Sequence, residues 1–338
     1  MPINWSLPPG QPGLATVVVP AYNQERFLAE AIESVVGQAY RPIECIIVDD
    51  GSTDGTARVA ERFEKLSRQD LVIQCLHQPN QGAQAARNAG VSASHGEFIQ
   101  CLDADDLLDR DKLARQVDFL ASKAGEAVDV VYGDARFLTA KGDEFKAGEE
   151  IGMGPVDDIL VGLLVSLLGI RFNPSFSYLS RRTSVQACGP WNLNLPINQD
   201  YDYFLRMACL GLRFHYVSGM TGFYRKHDAP RISDQGMSLR AKTTLGILES
   251  AEHNAAAAGL LAPGRRRAFA EAYRMVSYWA SGLDRKVWRA SLGHSLRLCP
   301  DLLPEKFSAR LLQRIFGVWT SESLLGLVRQ TKRNLRRT

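Results

Sequence analysis

The 338-residue sequence has no glycine-rich phosphate loop of the usual kinds. No GxGxxG follows the first apolar run, and no GxxxxGK[ST] occurs anywhere; Gly152-Met153-Gly154 lacks both the third glycine and the strand context. Those absences count against a dinucleotide oxidoreductase and a P-loop nucleotidase. The 6 cysteines include no CxxC pair, and several lie within apolar runs. A zinc knuckle or disulfide frame is therefore not expected, and reduced thiols in a cytoplasmic protein are. The longest apolar run, Ile159 to Ile170, falls short of the roughly 18 residues a membrane-spanning helix needs. The first residues show no basic segment leading into an apolar one, so no export signal is expected. Asn4-Trp5-Ser6 is accordingly read as a chance glycosylation sequon. Neither internal repeats nor low-complexity tracts are present. A composition of 45% hydrophobic and 23% charged residues excludes disorder, collagen and coiled coil as the main theme.

Charge is unevenly spread. From Arg265 onward there are 16 Lys/Arg against 5 Asp/Glu, leaving 24 against 32 in the preceding residues. An acidic body with a basic end predicts that the end meets something anionic, or that it forms a helical bundle with a solvated basic face. Arg265-Arg266-Arg267, the amphipathic stretch Phe307 to Phe316 and the closing GLVRQTKRNLRRT carry this feature. A basic amphipathic helix of that kind can lie on an anionic membrane face. Nucleic acid is not an expected partner, because aromatic residues are not interleaved with the basic ones as a stacking platform requires.

Hydrophobic periodicity gives the architecture. Thr16–Val19, Glu44–Val48, Leu71–Leu76 and Glu97–Leu102 read as buried strands. Helices are predicted over about 26–38, from Asp54 onward, over 82–93 and over 112–120. The first spans Phe27, Leu28, Ala31, Ile32, Val35 and Val36 on one face; the second aligns Ala57, Ala60, Phe63 and Leu66. Alternating strand and helix with short loops predicts an α/β fold with right-handed crossovers onto a parallel sheet. Strands at 128–132, 214–217 and 221–224 and a helix at 198–210 follow, and beyond about 232 the pattern is helical throughout.

In such sheets ligands bind at the carboxyl ends of the strands. Three polar clusters fall there: Tyr22-Asn23, Asp49-Asp50-Gly51-Ser52 and Asp103-Ala104-Asp105-Asp106. Each has an ordinary reading as a turn or helix cap. Capping alone does not explain three acids straight after a buried strand. Crowded carboxylates repel one another, and a hard divalent cation relieves them. Asp50 can accept a hydrogen bond from a base edge, and Tyr22 offers a flat face for stacking.

The stretch VVVPAYNQERFLAEAIESVVGQAYRPIECIIVDDGSTDGT resembles the opening of family-2 glycosyltransferases, inverting enzymes of the GT-A fold. HQPNQGAQAARNAG with GEFIQCLDADDLL resembles their second block, including the metal-binding DxD motif. NQDYDYFLRMACLG resembles the acceptor-side block, and YRKHDAPRIS the closing block. Four blocks in family order, over about residues 14 to 235, make the resemblance specific. It implies a Rossmann-like GT-A fold with a mixed, mostly parallel central sheet and a C-terminal helical region. The expected organisation is a flexible leader at 1–13, a glycosyltransferase domain at 14–230 (nucleotide-binding half 14–135, acceptor half 136–230) and a basic helical region at 231–338.

The resemblance also implies roles. Pro20, Ala21, Tyr22 and Glu25 match the loop that holds base and ribose, and Asp50 the residue that binds the base. Gly82, Arg87 and Asn88 match the segment beside nucleotide and donor sugar. Asp103 matches the first acid of the DxD motif, near the ribose, and Asp105 the acid that ligates Mn²⁺ or Mg²⁺. Asp200 matches the catalytic base, and His227 a histidine that in some members completes the metal site. Gln199 stands where the family commonly has Glu, on the acceptor side. Trp191 is either a sugar-stacking ring at the acceptor or a core residue. The implied partners are a nucleoside-diphosphate sugar, most readily UDP-linked, and a glycan or lipid-linked glycan acceptor in surface glycan synthesis. The implied place is the cytoplasm, with peripheral membrane contact through the basic end. A carboxylate of pKa about 4 is a weak base at pH 7, so burial or acidic neighbours such as Asp202 are expected to raise that of Asp200. The rival readings are an inactive nucleotide-sugar-binding module, a membrane-associated scaffold and a nucleotidyltransferase of similar topology.

Overall fold

A computed structural model describes residues 5–141, 144–166, 173–227 and 236–302. The chain divides into two compact units: Met1–Ile159 with Arg171–Leu195 and Gln199–Ala229, and Leu160–Ile170 with Pro196–Asn198 and Pro230–Thr338.

The first unit is built on strands β1 (Gln11–Ala21), β2 (Ile43–Asp49), β3 (Leu71–His77), β4 (Gly96–Cys101), β5 (Leu107–Leu108), β6 (Val130–Lys141), β7 (Glu144–Glu150), β8 (Tyr178–Arg181) and β9 (Phe214–Lys226). They form one sheet in the order β3-β2-β1-β4-β8-β6-β9-β5, with β7 paired to β6. The pairs β1–β2, β1–β4, β2–β3 and β6–β9 are parallel; β4–β8, β5–β9, β6–β7 and β6–β8 are antiparallel. The sheet is thus mixed, as the α/β expectation required. The β6–β7 hairpin was not foreseen, and the two short strands expected at 214–217 and 221–224 are one continuous strand.

Every residue of β2 is buried, which is why it reads as an unbroken apolar run. Helices α1 (Leu28–Val36), α2 (Thr56–Glu64), α3 (Ala83–Ala93) and α4 (Lys112–Ala121) complete the alternation. Leu28, Ala31, Ile32 and Val35 form the buried face of α1, as the spacing predicted. Helix α2 stops at Glu64, so Leu66 leaves the predicted apolar face and is exposed. Helix α3 lies close on the sheet through Gly90, where a Cβ would come within 2.4 Å of Val18. Helices α6 (Arg182–Cys188) and α7 (Gln199–Cys209) follow later in the same unit. Strand β1 begins at Gln11, inside the segment expected as a loose leader, because Gln11 already pairs with Gly96.

The chain leaves β1 for β2 and β3 on one side and returns to β4 on the other. Such a reversal of direction marks the carboxyl edge of the sheet as the place where ligands bind in folds of this kind.

In the second unit, α5 (Ile159–Ser166) takes up the start of the apolar run; the rest of that run lies outside the described residues. Helices α8 (Met237–Ala257), α9 (Pro263–Ala280) and α10 (Arg285–Leu298) pack around Leu248, Phe269, Tyr273, Val276 and Leu292. Buried Glu252 ties the three together, accepting from Tyr273 Oη at 2.9 Å and Arg297 Nη2 at 2.7 Å. Among the described residues no helix is long and apolar enough to cross a membrane. The amphipathic stretch from Phe307 and the closing basic run lie outside the described residues, as does the end of the YRKHDAPRIS block.

Candidate active site

The loops after β1 and β2 are stitched to each other. Pro20 and Ala21 are buried at the end of β1, and the Ala21 carbonyl accepts from Asp50 N at 2.8 Å. Asn23, at φ 52°, donates its N–H to Ser52 Oγ at 3.0 Å and accepts from Thr53 N at 2.9 Å. Glu25 Oε2 accepts from Gly55 N at 2.9 Å. Glu25 thus braces the frame, while Tyr22 stands 46% exposed with its ring presented to solvent.

Asp50 has a different position from that of a free base reader. It is only 2% exposed. Its Oδ1 accepts from Gln78 Nε2 at 2.6 Å and Gln81 N at 2.9 Å, and its Oδ2 from Gly82 N at 2.7 Å. The carboxylate therefore shapes the segment 78–82 that leads into α3, and Oδ2 retains capacity for one further donor. Gly51 next to it has φ 74°, and a Cβ there would meet Asn80 N at 2.7 Å, so the two loops touch only because it is glycine.

Helix α3 carries Arg87 and Asn88. Arg87 Nη2 pairs with Asp103 Oδ1 at 2.5 Å, and the guanidinium lies 4.6 Å over the Trp191 ring. Burial works against the Arg87 charge, but Asp103 more than offsets it, and the pKa ends above the ordinary value. Its Nε and Nη1 are buried without an acceptor among the described residues. Asn88 is engaged elsewhere: it accepts from Trp191 N at 2.8 Å and donates to Trp191 O at 3.0 Å. Trp191 is 2% exposed and stacks on Tyr203 with centroids 4.2 Å apart. Two groups so close to one centroid occupy its two faces. The acceptor-stacking role considered for Trp191 is therefore corrected: it is a wall residue that seats Arg87.

The DxD segment lies between β4 and β5. Asp105 Oδ2 stands 3.0 Å from His227 Nε2, and His227 stacks on Phe27 at 4.8 Å. Asp106 is 1% exposed; its Oδ1 accepts from Arg225 N at 2.9 Å, and its Oδ2 has no donor among the described residues. Burial, then Asp105 and Asp103, push the Asp106 carboxyl well above the usual range. Such crowding is what a cation relieves. Among the described residues no group of three or more His, Cys, Asp or Glu side chains could hold a metal ion by itself. The residues present fit a cation shared with a ligand: Asp105 and His227 would offer an oxygen and a nitrogen, and the remaining ligands would come from outside the chain.

Asp200 opens α7 beside half-buried Gln199, and its Oδ1 accepts from Tyr201 N at 2.9 Å. Burial pushes its carboxyl above the ordinary value; Arg87 opposes the shift and Asp103 adds to it. The acidic neighbour is therefore Asp103 and not Asp202, whose carboxylate is 2.9 Å from Arg206 Nε. Asp103, Arg87 and Asp200 form one electrostatic set.

Arg225 was missed by the sequence reading. Its side chain is fully buried; it donates to Asp105 O at 2.9 Å, pairs with Glu30 at 2.8 Å and lies 5.0 Å from the Phe27 centroid. It ties the end of β9, which His227 directly follows, to the DxD segment and α1. The available signal was a charged residue in the strand pattern GFYRK, at a position whose side chain points inward.

Comparison with known proteins bears on family and fold. Residues 16–146 match the model of the glycosyl transferase family 2. That segment of the chain is similar to a family-2 glycosyltransferase domain. An uncharacterized glycosyltransferase of Rickettsia conorii is 31% identical over 196 residues, covering 57% of this chain and 31% of that protein. Glycosyltransferase GlyG of Streptococcus pneumoniae is 43% identical over 96 residues, covering 28% of this chain and 31% of that one. The alignments thus span less than a third of these relatives' own length. Among solved structures, S. aureus TarS 1-349 in complex with UDP-GlcNAc superposes with a TM-score of 0.62 at 16% identity, covering 93% of this chain and 88% of the other. That likeness is one of fold, and the fold is GT-A.

Proposed function

We propose that this chain moves a sugar from a nucleoside-diphosphate sugar, UDP-linked, to an acceptor hydroxyl with inversion at the anomeric carbon. The observation that carries the reading is the electrostatic set at the sheet edge. Arg87 presents buried N–H groups that meet no acceptor among the described residues, beside Asp103, and Asp200 stands within their field. Unmet cationic donors suit a diphosphate, and a carboxyl of raised pKa suits a general base. UDP-GlcNAc in the structurally similar TarS supports UDP as the nucleotide.

The mechanism follows from this chain's residues. Tyr22 stacks the base, and the remaining capacity of Asp50 Oδ2 takes one base N–H. Arg87 and the α3 segment orient the diphosphate. Asp105 and His227 would hold Mn²⁺ or Mg²⁺, which neutralises charge on a leaving diphosphate. Asp200, with Gln199 beside it, accepts the proton of the acceptor hydroxyl as that oxygen attacks from the opposite face. The acceptor is a glycan hydroxyl in surface glycan assembly.

A thermal-shift screen of UDP, GDP, dTDP and CMP with and without Mn²⁺ tests the donor class. Ligand at 100 times its dissociation constant stabilises by about 2.7 kcal/mol. A metal-dependent shift with UDP that Asp105→Ala abolishes is expected. No shift with any nucleotide under either condition would overturn the reading.

A further inference from the structure

The basic character of the second unit is conspicuous in Arg265-Arg266-Arg267, yet that run is locally engaged. Arg265 donates to Leu260 O at 3.2 Å and Arg266 to Leu261 O at 3.1 Å, and Arg267 pairs with Glu271 at 3.0 Å. Among the described residues no large apolar side chain is exposed beside it.

The opposite end of the α9–α10 hairpin differs. The twelve residues 278–289 read YWASGLDRKVWR. Leu283 is 52% exposed and Tyr278 43% exposed, with Trp279 and Trp288 half-buried. Arg285, Lys286 and Arg289 are all exposed. The tip is held firmly. Gly282 turns the chain at φ 75°, and the amides of Leu283 and Asp284 both donate to Ala280 O, at 2.9 and 3.0 Å. Asp284 is the only acid of the segment. Its Oδ1 caps α10 by accepting from Lys286 N at 2.9 Å and Val287 N at 3.0 Å. The turn therefore fixes Leu283 outward and directs the one acid into the helix end, while three cations ring the apolar tip.

We propose that this tip docks on an anionic lipid surface. Cations draw it to anionic headgroups, and Leu283 with the aromatic rings enters the interfacial layer, where Tyr and Trp are favoured. A soluble polyanion needs the cations but not the exposed leucine and tyrosine. The proposal goes beyond the donor chemistry above and does not depend on it.

The test uses the full chain and vesicles of 70% phosphatidylcholine and 30% phosphatidylglycerol, against pure phosphatidylcholine, by co-sedimentation. Binding to the anionic vesicles alone is expected. Each cation near such a surface is worth about fivefold in partitioning, so Arg285→Glu/Lys286→Glu/Arg289→Glu together should weaken binding by about a hundredfold or more. Leu283→Ser should cost about fivefold. Nucleotide-induced thermal shifts should be unchanged in both variants, which separates this outcome from failure of the donor reading. Absence of vesicle binding, equal binding to both compositions, or full binding by the triple variant would each overturn the proposal. So would binding to soluble polyphosphate as tight as to vesicles, with both insensitive to Leu283→Ser.

Discussion

Replacing Asp50 by Asn separates two roles that its position allows. In the structure one carboxylate accepts from Gln78 Nε2 and from the backbone N–H groups of Gln81 and Gly82, on two different oxygens. An Asn side chain has one acceptor oxygen, and its NH₂ would face a backbone donor. At least one buried N–H loses its partner, at about 1–3 kcal/mol, and the remaining bonds lose the charge that strengthens them. A total of about 2–4 kcal/mol follows, localised to residues 78–82. Hydrogen exchange reads this directly, because two of the donors are the amides themselves. Exchange of a peptide covering 78–86 should accelerate by about 30- to 1,000-fold in Asp50→Asn, while peptides from β2 and α9 keep their rates. Nucleotide affinity should fall as well, since Gly82 opens the helix that carries Arg87. If nucleotide affinity falls while the exchange of 78–86 is unchanged, the carboxylate does not hold the loop, and its assignment as a cradle is wrong.

Three further outcomes follow from the same geometry. Asp200→Asn should lower turnover by about 10²- to 10⁴-fold with UDP affinity retained, and it should raise stability at neutral pH. The sign follows from the raised native pKa: the ionised, buried carboxylate destabilises the fold above that value, and both proteins become alike as the pH falls below 3.8; melting curves at pH 7 and near pH 4 check it. In the active enzyme the acid limb of kcat/KM should lie above the position of an ordinary carboxylate, since the base must be ionised. Lys112 is fully buried against Gln100 and its pKa is well below 10.5, chiefly from burial, so wild-type stability should rise with pH between the lowered value and 10.5; Lys112→Met should flatten that rise in urea titrations run across pH. Tyr22→Ala should weaken nucleotide binding by about 1–3 kcal/mol, measured by calorimetry, without changing stability, because its ring is exposed.

What the sequence revealed was what depends on local pattern. The four strands β1 to β4 and their helices were legible because fully buried parallel strands leave unbroken apolar runs, and the clusters at their ends stand out against them. The acids of the DxD segment and the base-side loop were visible for the same reason. The engagement of each side chain was not. Asp50 looked free for a base because nothing local shows that Gln78, Gln81 and Gly82 return to it from about thirty residues away. Trp191 looked like an available ring because its partners, Arg87 and Tyr203, come from α3 and α7. Arg225 was hidden inside a strand pattern, and its partners Glu30 and Asp105 are 195 and 120 residues distant. The β6–β7 hairpin escaped because β7, Glu144–Glu150, is polar and mostly exposed, without an apolar alternation to mark it.

The distribution of partners among the acids also decides where chemistry can occur. Asp49 accepts from Ser52 N and faces His77, Asp54 caps the turn at Thr56, Asp50 holds 78–82, Asp103 is locked to Arg87, and Asp106 accepts from Arg225 N. Each of these carboxylates fixes backbone or a neighbouring cation, so moving it would disassemble the frame. Asp105 and Asp200 differ. Among the described residues, Asp105 Oδ2 meets a histidine nitrogen, a contact in which a cation can replace a proton, and Asp200 Oδ1 accepts from the amide next to it. A group that must bind and release a cation, or gain and lose a proton, cannot also be a fixed strut. The framework acids are therefore expected to tolerate no substitution without loss of nucleotide binding. Asp200→Asn should instead leave binding intact and stop turnover, and a loss of UDP affinity in that variant equal to the loss in Asp103→Asn would show that the division of labour is wrong.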